Sequence, residues 1–172
     1  NTANDAFFIA LTISTAISLG CDAIISQDGI HRCSTRIGDF DGFDGLTIWG
    51  GCIRHAAGGQ AKGLIGFGDQ SLDAYGMFTE SAITVRNLRI EGVKVLTSGG
   101  INSATSRWVD QTPFSINNAQ FVRVTGCSFK DYDFAAVSFG ARCLDVDVDN
   151  NQFNSSRTWA GGANYAVRVF CY

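Results

Sequence analysis

Charge is scarce in this chain. Lysine, arginine, aspartate and glutamate make up 17% of its 172 residues, and the net charge of −3 is small and scattered. No stretch builds the basic stripe that would track a phosphate backbone, so nucleic acid is not an expected partner. Long apolar runs are missing too. None reaches the roughly 18–20 residues needed to cross a bilayer, and membrane insertion is not expected. Phe7 to Leu11, the first apolar stretch, is short and has no basic lead-in, so it does not read as a signal peptide. Any address for secretion or particle assembly is expected outside this chain.

Other absences remove chemistry. None of the six cysteines (Cys21, Cys33, Cys52, Cys127, Cys143, Cys171) forms a Cys-x-x-Cys pair, and no histidine stands at ligand spacing from one. A zinc site is therefore not expected, and neither is any other metal or cofactor. Free cysteine usually packs as a small hydrophobe; the even count leaves disulfides open without choosing a pairing. The G-x-S-x-G elbow of serine hydrolases is missing, and His31 and His55 stand alone, so both read as structural. Gly50-Gly51 and Gly66-Phe67-Gly68 do not make G-x-G-x-x-G before a helix, which discounts nucleotide binding. Asn154-Ser155-Ser156 is a glycosylation sequon, relevant only to a chain secreted by a eukaryote.

What is present points to strands. Glycine numbers 20, phenylalanine 13, and apolar residues 45%, a balance that favours an all-β architecture. The length suits one domain over 1–172. Its first part, 1–40, reads as a cap helix with entry strands, and 41–172 as stacked coils. Asn4 or Asp5 can cap the helix, Phe7, Phe8, Leu11, Ala16 and Ile17 recur near helical spacing, and Gly20 ends it.

Four octets then align without gaps: LTIWGGCI from Leu46, ITVRNLRI from Ile83, VRVTGCSF from Val122 and VDVDNNQF from Val146. Each is apolar at its first, third and eighth positions, with Gly or Asn at its fifth. Period-two alternation gives a strand with one buried face. Gly or Asn accepts left-handed backbone, so the chain can turn there and start another strand. One such unit cannot bury its apolar face alone, but stacked copies share a continuous core. The spacing predicts a right-handed parallel β-helix. Its internal columns would be Leu46, Ile83, Val122 and Val146; Ile48, Val85, Val124 and Val148; and Ile53, Ile90, Phe129 and Phe153. Outside, Trp49 would lie beside Arg86 and Arg123 beside Asp147. Further strands are expected at Gly63 to Phe67, Val93 to Leu96, Ala135 to Phe139 and Tyr165 to Phe170. Side loops are expected near Ser98 to Pro113 and Asn154 to Asn164. The chain stops within an alternating apolar run, Val169-Phe170-Cys171-Tyr172, which predicts a longer polypeptide or an end covered by a partner.

Thr2-Ala3-Asn4-Asp5 before a helix, then Gly20, then Ile24-Ile25-Ser26-Gln27-Asp28-Gly29-Ile30-His31, resembles the entry of pectate-lyase-like β-helix proteins. That family typically shows Asp-Asp-Thr, a Gly-rich turn and Val-Pro-x-Gly-x-Tyr; here Ser26 stands for the proline, and Ile30 and His31 lie near the tyrosine. The octets resemble its coils. Within the superfamily the sequence is most similar to phage tailspikes and surface depolymerases. The resemblance implies a homotrimer, extracellular or on a virion, that binds and cleaves bacterial surface polysaccharide. No calcium cluster or catalytic arginine motif of pectate lyases can be matched to residues here.

Glycoside hydrolysis uses two carboxylates about 5–9.5 Å apart. Asp147 and Asp149, with Asp145, alternate along one strand and would point outward; residues two apart on a strand face lie roughly 6.5–7 Å apart. Asp131 and Asp133 follow the neighbouring octet. These four are the catalytic candidates, for a glycoside hydrolase or a polysaccharide lyase. The plainer reading is a solvated face that keeps the sheet soluble, and EF-hand spacing is absent. Trp49, Trp108, Trp159 and Tyr132 are candidates for stacking on sugar rings, with Arg86 as a polar contact; packing at subunit interfaces is the alternative. Two functions stay open: a polysaccharide-degrading β-helix, and a non-catalytic shaft or adhesin built from the same coils.

Overall fold

The computed structural model describes residues 4–55, 63–74, 78–97, 112–132, 135–155 and 165–169. Asp5 opens the helix. Its backbone N–H and Oδ2 bond the carbonyl and N–H of Arg32, at 2.8 and 2.9 Å, fixing the helix start to the first coil. Asn4 Oδ1 accepts from the N–H of Ala6 at 3.3 Å. Helix α1 runs Ala6–Leu19 and ends where Gly20 turns left-handed at φ 63°. It lays Ala6, Ile9, Ile13 and Ala16 on the open end of the solenoid. The buried face is therefore not the expected one: of Phe7, Phe8, Leu11, Ala16 and Ile17, Phe7, Phe8 and Leu11 face solvent. The first half of the helix, Ala6 to Leu11, is apolar on every side and does not name its packing face, which only the polar stripe Thr12, Ser14, Thr15 and Ser18 opposite Ile9, Ile13 and Ala16 marks.

After α1 come fifteen strands: β1 (Ala23–Ile24), β2 (Ile30–Cys33), β3 (Gly38–Phe40), β4 (Phe43–Trp49), β5 (Cys52–His55), β6 (Ile65–Phe67), β7 (Val85–Glu91), β8 (Lys94–Thr97), β9 (Phe114–Ile116), β10 (Ala119–Thr125), β11 (Ser128–Lys130), β12 (Ala135–Phe139), β13 (Leu144–Asp149), β14 (Gln152–Asn154) and β15 (Tyr165–Val169). They form three all-parallel sheets: A (β1-β4-β7-β10-β13), B (β2-β5-β8-β11-β14) and C (β3-β6-β9-β12-β15). Every third strand returns to the same sheet, so the chain is a right-handed parallel β-helix of five coils. The expected strands at 63–67, 93–96, 135–139 and 165–170 fall on β6, β8, β12 and β15. The entry strands β1, β2 and β3 are themselves the first full coil.

Three octets stack as expected; the second is displaced. Leu46 stands in register with Leu88, not Ile83, and Leu88 with Val122 and then Val146. Ile48 aligns with Ile90, Val124 and Val148, while Val85 joins Phe43 and Ala119 in another column. The eighth-position column is Ile53, Val95, Phe129 and Phe153. The true second octet is LRIEGVKV from Leu88, five residues later. Four of the five sheet A strands, β4, β7, β10 and β13, have two left-handed residues five apart, one within the strand and one just after it: Gly45 and Gly50, Asn87 and Gly92, Phe121 and Gly126, Asp145 and Asn150. The first of each pair kinks sheet A, and the second makes the turn into sheet B. Matching Asn87 to the wrong column slipped the alignment by that interval.

The columns make the core. Ile48, Ile53, Ile90, Val95, Val124 and Phe129 are at most 1% exposed, each contributing about 1.5–3 kcal/mol of transfer free energy. Phe129 stacks on Phe153 at 5.4 Å between centroids and meets Phe114 edge-on at 5.8 Å. On the last coil, Leu144, Val146 and Val169 are open to solvent.

Candidate functional site

A solenoid of three sheets offers three faces, and burial removes one. Strands β6, β9 and β12 of sheet C are buried on both sides. Gln70 lies across them, its Nε2 donating to the carbonyl of Phe67 at 2.9 Å and that of Ser115 at 3.4 Å. Arg36 pairs with Asp39 and donates from Nε to the Gly63 carbonyl at 2.7 Å. Sheets A and B keep outward rows of exposed side chains.

Sheet A carries Trp49. The residue is 38% exposed, and its Nε1–H donates to Asp22 Oδ2 at 3.1 Å, while Asp22 Oδ1 accepts the N–H of Thr47 at 3.2 Å. The Trp49 hydrogen bond holds the Asp22 carboxyl below its ordinary pKa. Trp49 does not lie beside Arg86, as the gapless alignment required. In register its neighbours are Ile24 and Glu91, and Arg86 sits between Asp44 and Gln120 at the other end of the strands. Arg86 is exposed.

Arg123 and Asp147 are neighbours, as expected. Arg123 Nε lies 3.5 Å from Asp147 Oδ2, and its Nη2 is 2.8 Å from Asp149 Oδ2, so one guanidinium bridges both carboxylates. The hydrogen bond from Arg123 pushes the Asp149 pKa down, and Asp149 in turn raises that of Arg123. Asp145 accepts from Gln120 Nε2 at 3.0 Å. Arg89 Nε pairs with Glu91 at 2.8 Å on the neighbouring coil.

Asp131 follows β11 at the far end of sheet B with φ 58°, its N–H bonding the Asn154 carbonyl at 2.9 Å. Asp149 stands at the near end of sheet B, one turn before β14. Asp131 and the Asp147–Asp149 pair thus lie at opposite ends of sheet B strands and do not converge. Tyr132 presents no stacking surface: it is 5% exposed and part of the core, and burial raises its phenol pKa. Asp133, Trp108 and Trp159 lie outside the described residues.

Sequence reasoning missed the outer face of sheet B. Its strands read IHRC, CIRH, KVLT, SFK and QFN, without a single carboxylate. Arg32, Arg54, Lys94 and Lys130 are exposed on β2, β5, β8 and β11, one on each of four successive coils. The charge is therefore not scattered, as composition suggested. With the second octet in its true register, Arg54, Lys94 and Lys130 fall at seventh and ninth positions, flanking the inward eighth. The spacing of these cations around the inward eighth position is the sequence signal of the row. Lys94 also borders a shallow groove with Gln27, Gly51, Cys52 and Gly92.

Among the described residues no three His, Cys, Asp or Glu side chains cluster as a metal site requires, and no helix is long and apolar enough to cross a membrane. No protein-family model, curated protein or solved structure matches the chain.

Proposed function

We propose that this β-helix recognises an extended bacterial surface polysaccharide, in the manner of a phage tailspike or surface depolymerase, and acts outside the cell as a homotrimer. The observation that carries the reading is Trp49. Its partly exposed side chain is held by Asp22 on a face whose outward side chains include the hydrogen-bonding groups Thr47, Arg86, Arg89, Gln120 and Arg123 at strand spacing. A sugar ring offers an apolar C–H side to the indole and hydroxyls to its neighbours. Coils repeating every ~4.8 Å suit a linear, repeating ligand.

A second reading, a non-catalytic adhesin or shaft, is favoured by the Arg123 bridge. A general acid needs a raised pKa, and Asp149 has a lowered one. The depolymerase reading then leaves Asp131 and Asp133 as its catalytic candidates.

The test incubates the protein with purified capsule or lipopolysaccharide and follows both binding and polymer length. Shortening supports the depolymerase, and binding without shortening the adhesin; absorbance of an unsaturated uronate separates lyase from hydrolase. Trp49→Ala should weaken binding roughly tenfold, the size of one lost stacking contact. No binding to any glycan sinks the reading.

A further inference from the structure

We infer that the outer face of sheet B binds a linear acidic polysaccharide, whose carboxylate or sulfate groups are met by Arg32, Arg54, Lys94 and Lys130. The inference rests on the polysaccharide reading, and it names the charge class of the glycan and a face separate from the Trp49 surface.

Three observations carry it. The first is register. Arg32 stands directly opposite Arg54, and Lys130 continues the same column beyond Leu96, while Lys94 lies one column over, between Cys52 and Ser128. Three strand spacings of ~4.8 Å place the outermost cations about 14 Å apart, so the four form a strip along the solenoid axis.

The second is imbalance. Like charges facing each other across a strand pair destabilise it, yet none of the four cations makes an ion pair or a side-chain hydrogen bond among the described residues. Asp5 bonds the backbone N–H of Arg32 and approaches His31 at 4.0 Å, and makes no ion pair with the Arg32 guanidinium. On sheet A, by contrast, Arg89 and Arg123 are matched by Glu91, Asp147 and Asp149. Protection of a sheet edge does not account for the strip, because β5, β8 and β11 are interior strands paired on both sides.

The third is what flanks the cations. Ser128, Gln152 and Asn154 supply hydroxyl and amide partners, and exposed Ile30 on β2 and half-buried Leu96 on β8 offer two separate apolar contacts for the C–H side of a sugar. No aromatic residue points outward from these strands, so nothing there stacks on a base, and the chain as a whole is acidic. An anionic glycan fits this strip better than nucleic acid.

Binding is measured by anisotropy of end-labelled polygalacturonate and chondroitin sulfate oligomers against neutral dextran and a DNA oligonucleotide of matched length. The wild type should bind the acidic glycans and not dextran. Arg54→Gln/Lys94→Gln/Lys130→Gln should weaken that binding roughly a hundredfold, about fivefold per cation, and lower the slope of log affinity against log salt by about three. Arg54→Lys/Lys130→Arg should bind within about twofold of wild type. If circular dichroism shows the triple variant unfolded, Lys94→Gln alone carries the test with its fivefold loss. Unchanged binding by the folded neutralised variant overturns the inference, as does DNA bound more tightly than either glycan. Binding of dextran that Trp49→Ala abolishes overturns it while leaving the polysaccharide reading intact. Failure to bind any glycan overturns both.

Discussion

The side-chain oxygen of Asn117 occupies the place where a Cβ on Gly140 would stand. The two residues hold the same turn on successive coils, after β9 and β12, and Gly68 holds it on the coil before. Their N–H groups bond the carbonyls of Phe67, Ile116 and Phe40 at 2.8–2.9 Å. One buried asparagine thus fits between two glycines, and a methyl group on either meets Asn117 atoms.

Gly140→Ala should therefore destabilise the protein by about 1–3 kcal/mol through overpacking. Gly140→Ala/Asn117→Ala should cost less than the two single changes summed, because the shorter side chain frees the space. Gly29→Ala, where a Cβ meets nothing within 4 Å, is the control and should change stability little. Urea unfolding of the wild type, the two single variants, the double variant and the control measures this; additive costs at 117 and 140 would show that the turn stack relaxes.

The octet pattern shows why the fold was legible and the site was not. Leu46, Val122 and Val146 report coils because inward positions must be apolar and the turn must accept left-handed backbone. Those constraints act within one strand, so they survive in sequence. Register between strands is set by three-dimensional neighbours, and two left-handed columns five residues apart gave Asn87 and Gly92 equal claims to the turn. The slip moved Trp49 beside Arg86 and hid the alignment of Arg54, Lys94 and Lys130. Tyr132 was misread for a related reason: a residue just past a strand can fold inward or outward, and alternation does not reach it. Asp147 and Asp149 were placed on the correct strand, but their bridging by Arg123 depends on β10 lying alongside.

His55 predicts a pH dependence. It ends β5 pointing inward, in register with Cys33 and Thr97, and is 1% exposed. Burial lowers its pKa. The unfolded chain takes up a proton near pH 6.5, while the folded protein resists until lower pH. Between those values the unfolded state binds more protons, so stability should fall as pH drops below about 6.5 and level off beneath the folded pKa. The melting temperature should decline from pH 7.5 to 5, and His55→Leu should flatten that decline. An equal slope in the variant would assign the effect to other groups.

The cysteines predict a pattern of reactivity. Thiolate is the nucleophile, so a thiol whose pKa is raised and whose sulfur is covered reacts slowly. Burial pushes Cys33 to about 12 and Cys127 and Cys143 to about 11. Cys127 also donates to the Thr125 carbonyl at 3.3 Å, and Cys143 to that of Ile116 at 3.3 Å. Cys21 is exposed and Cys52 half-exposed on sheet B, and all five are free thiols. Iodoacetamide at pH 8 should therefore modify Cys21 and Cys52 within minutes and leave Cys33, Cys127 and Cys143 intact until urea unfolds the coils. Mass spectrometry of peptides from timed samples reads this directly. Early labelling of Cys127 would mean that the column between Ile90 and Asn151 opens under native conditions, since its backbone N–H is held there by Asn151 Oδ1 at 2.8 Å and its thiol faces the Ile90 carbonyl. Labelling of Cys52 should also slow when an acidic glycan is bound, because Cys52 lies in register beside Lys94 on the proposed strip. Protection by polygalacturonate and not by dextran would place the ligand on sheet B without altering a single residue.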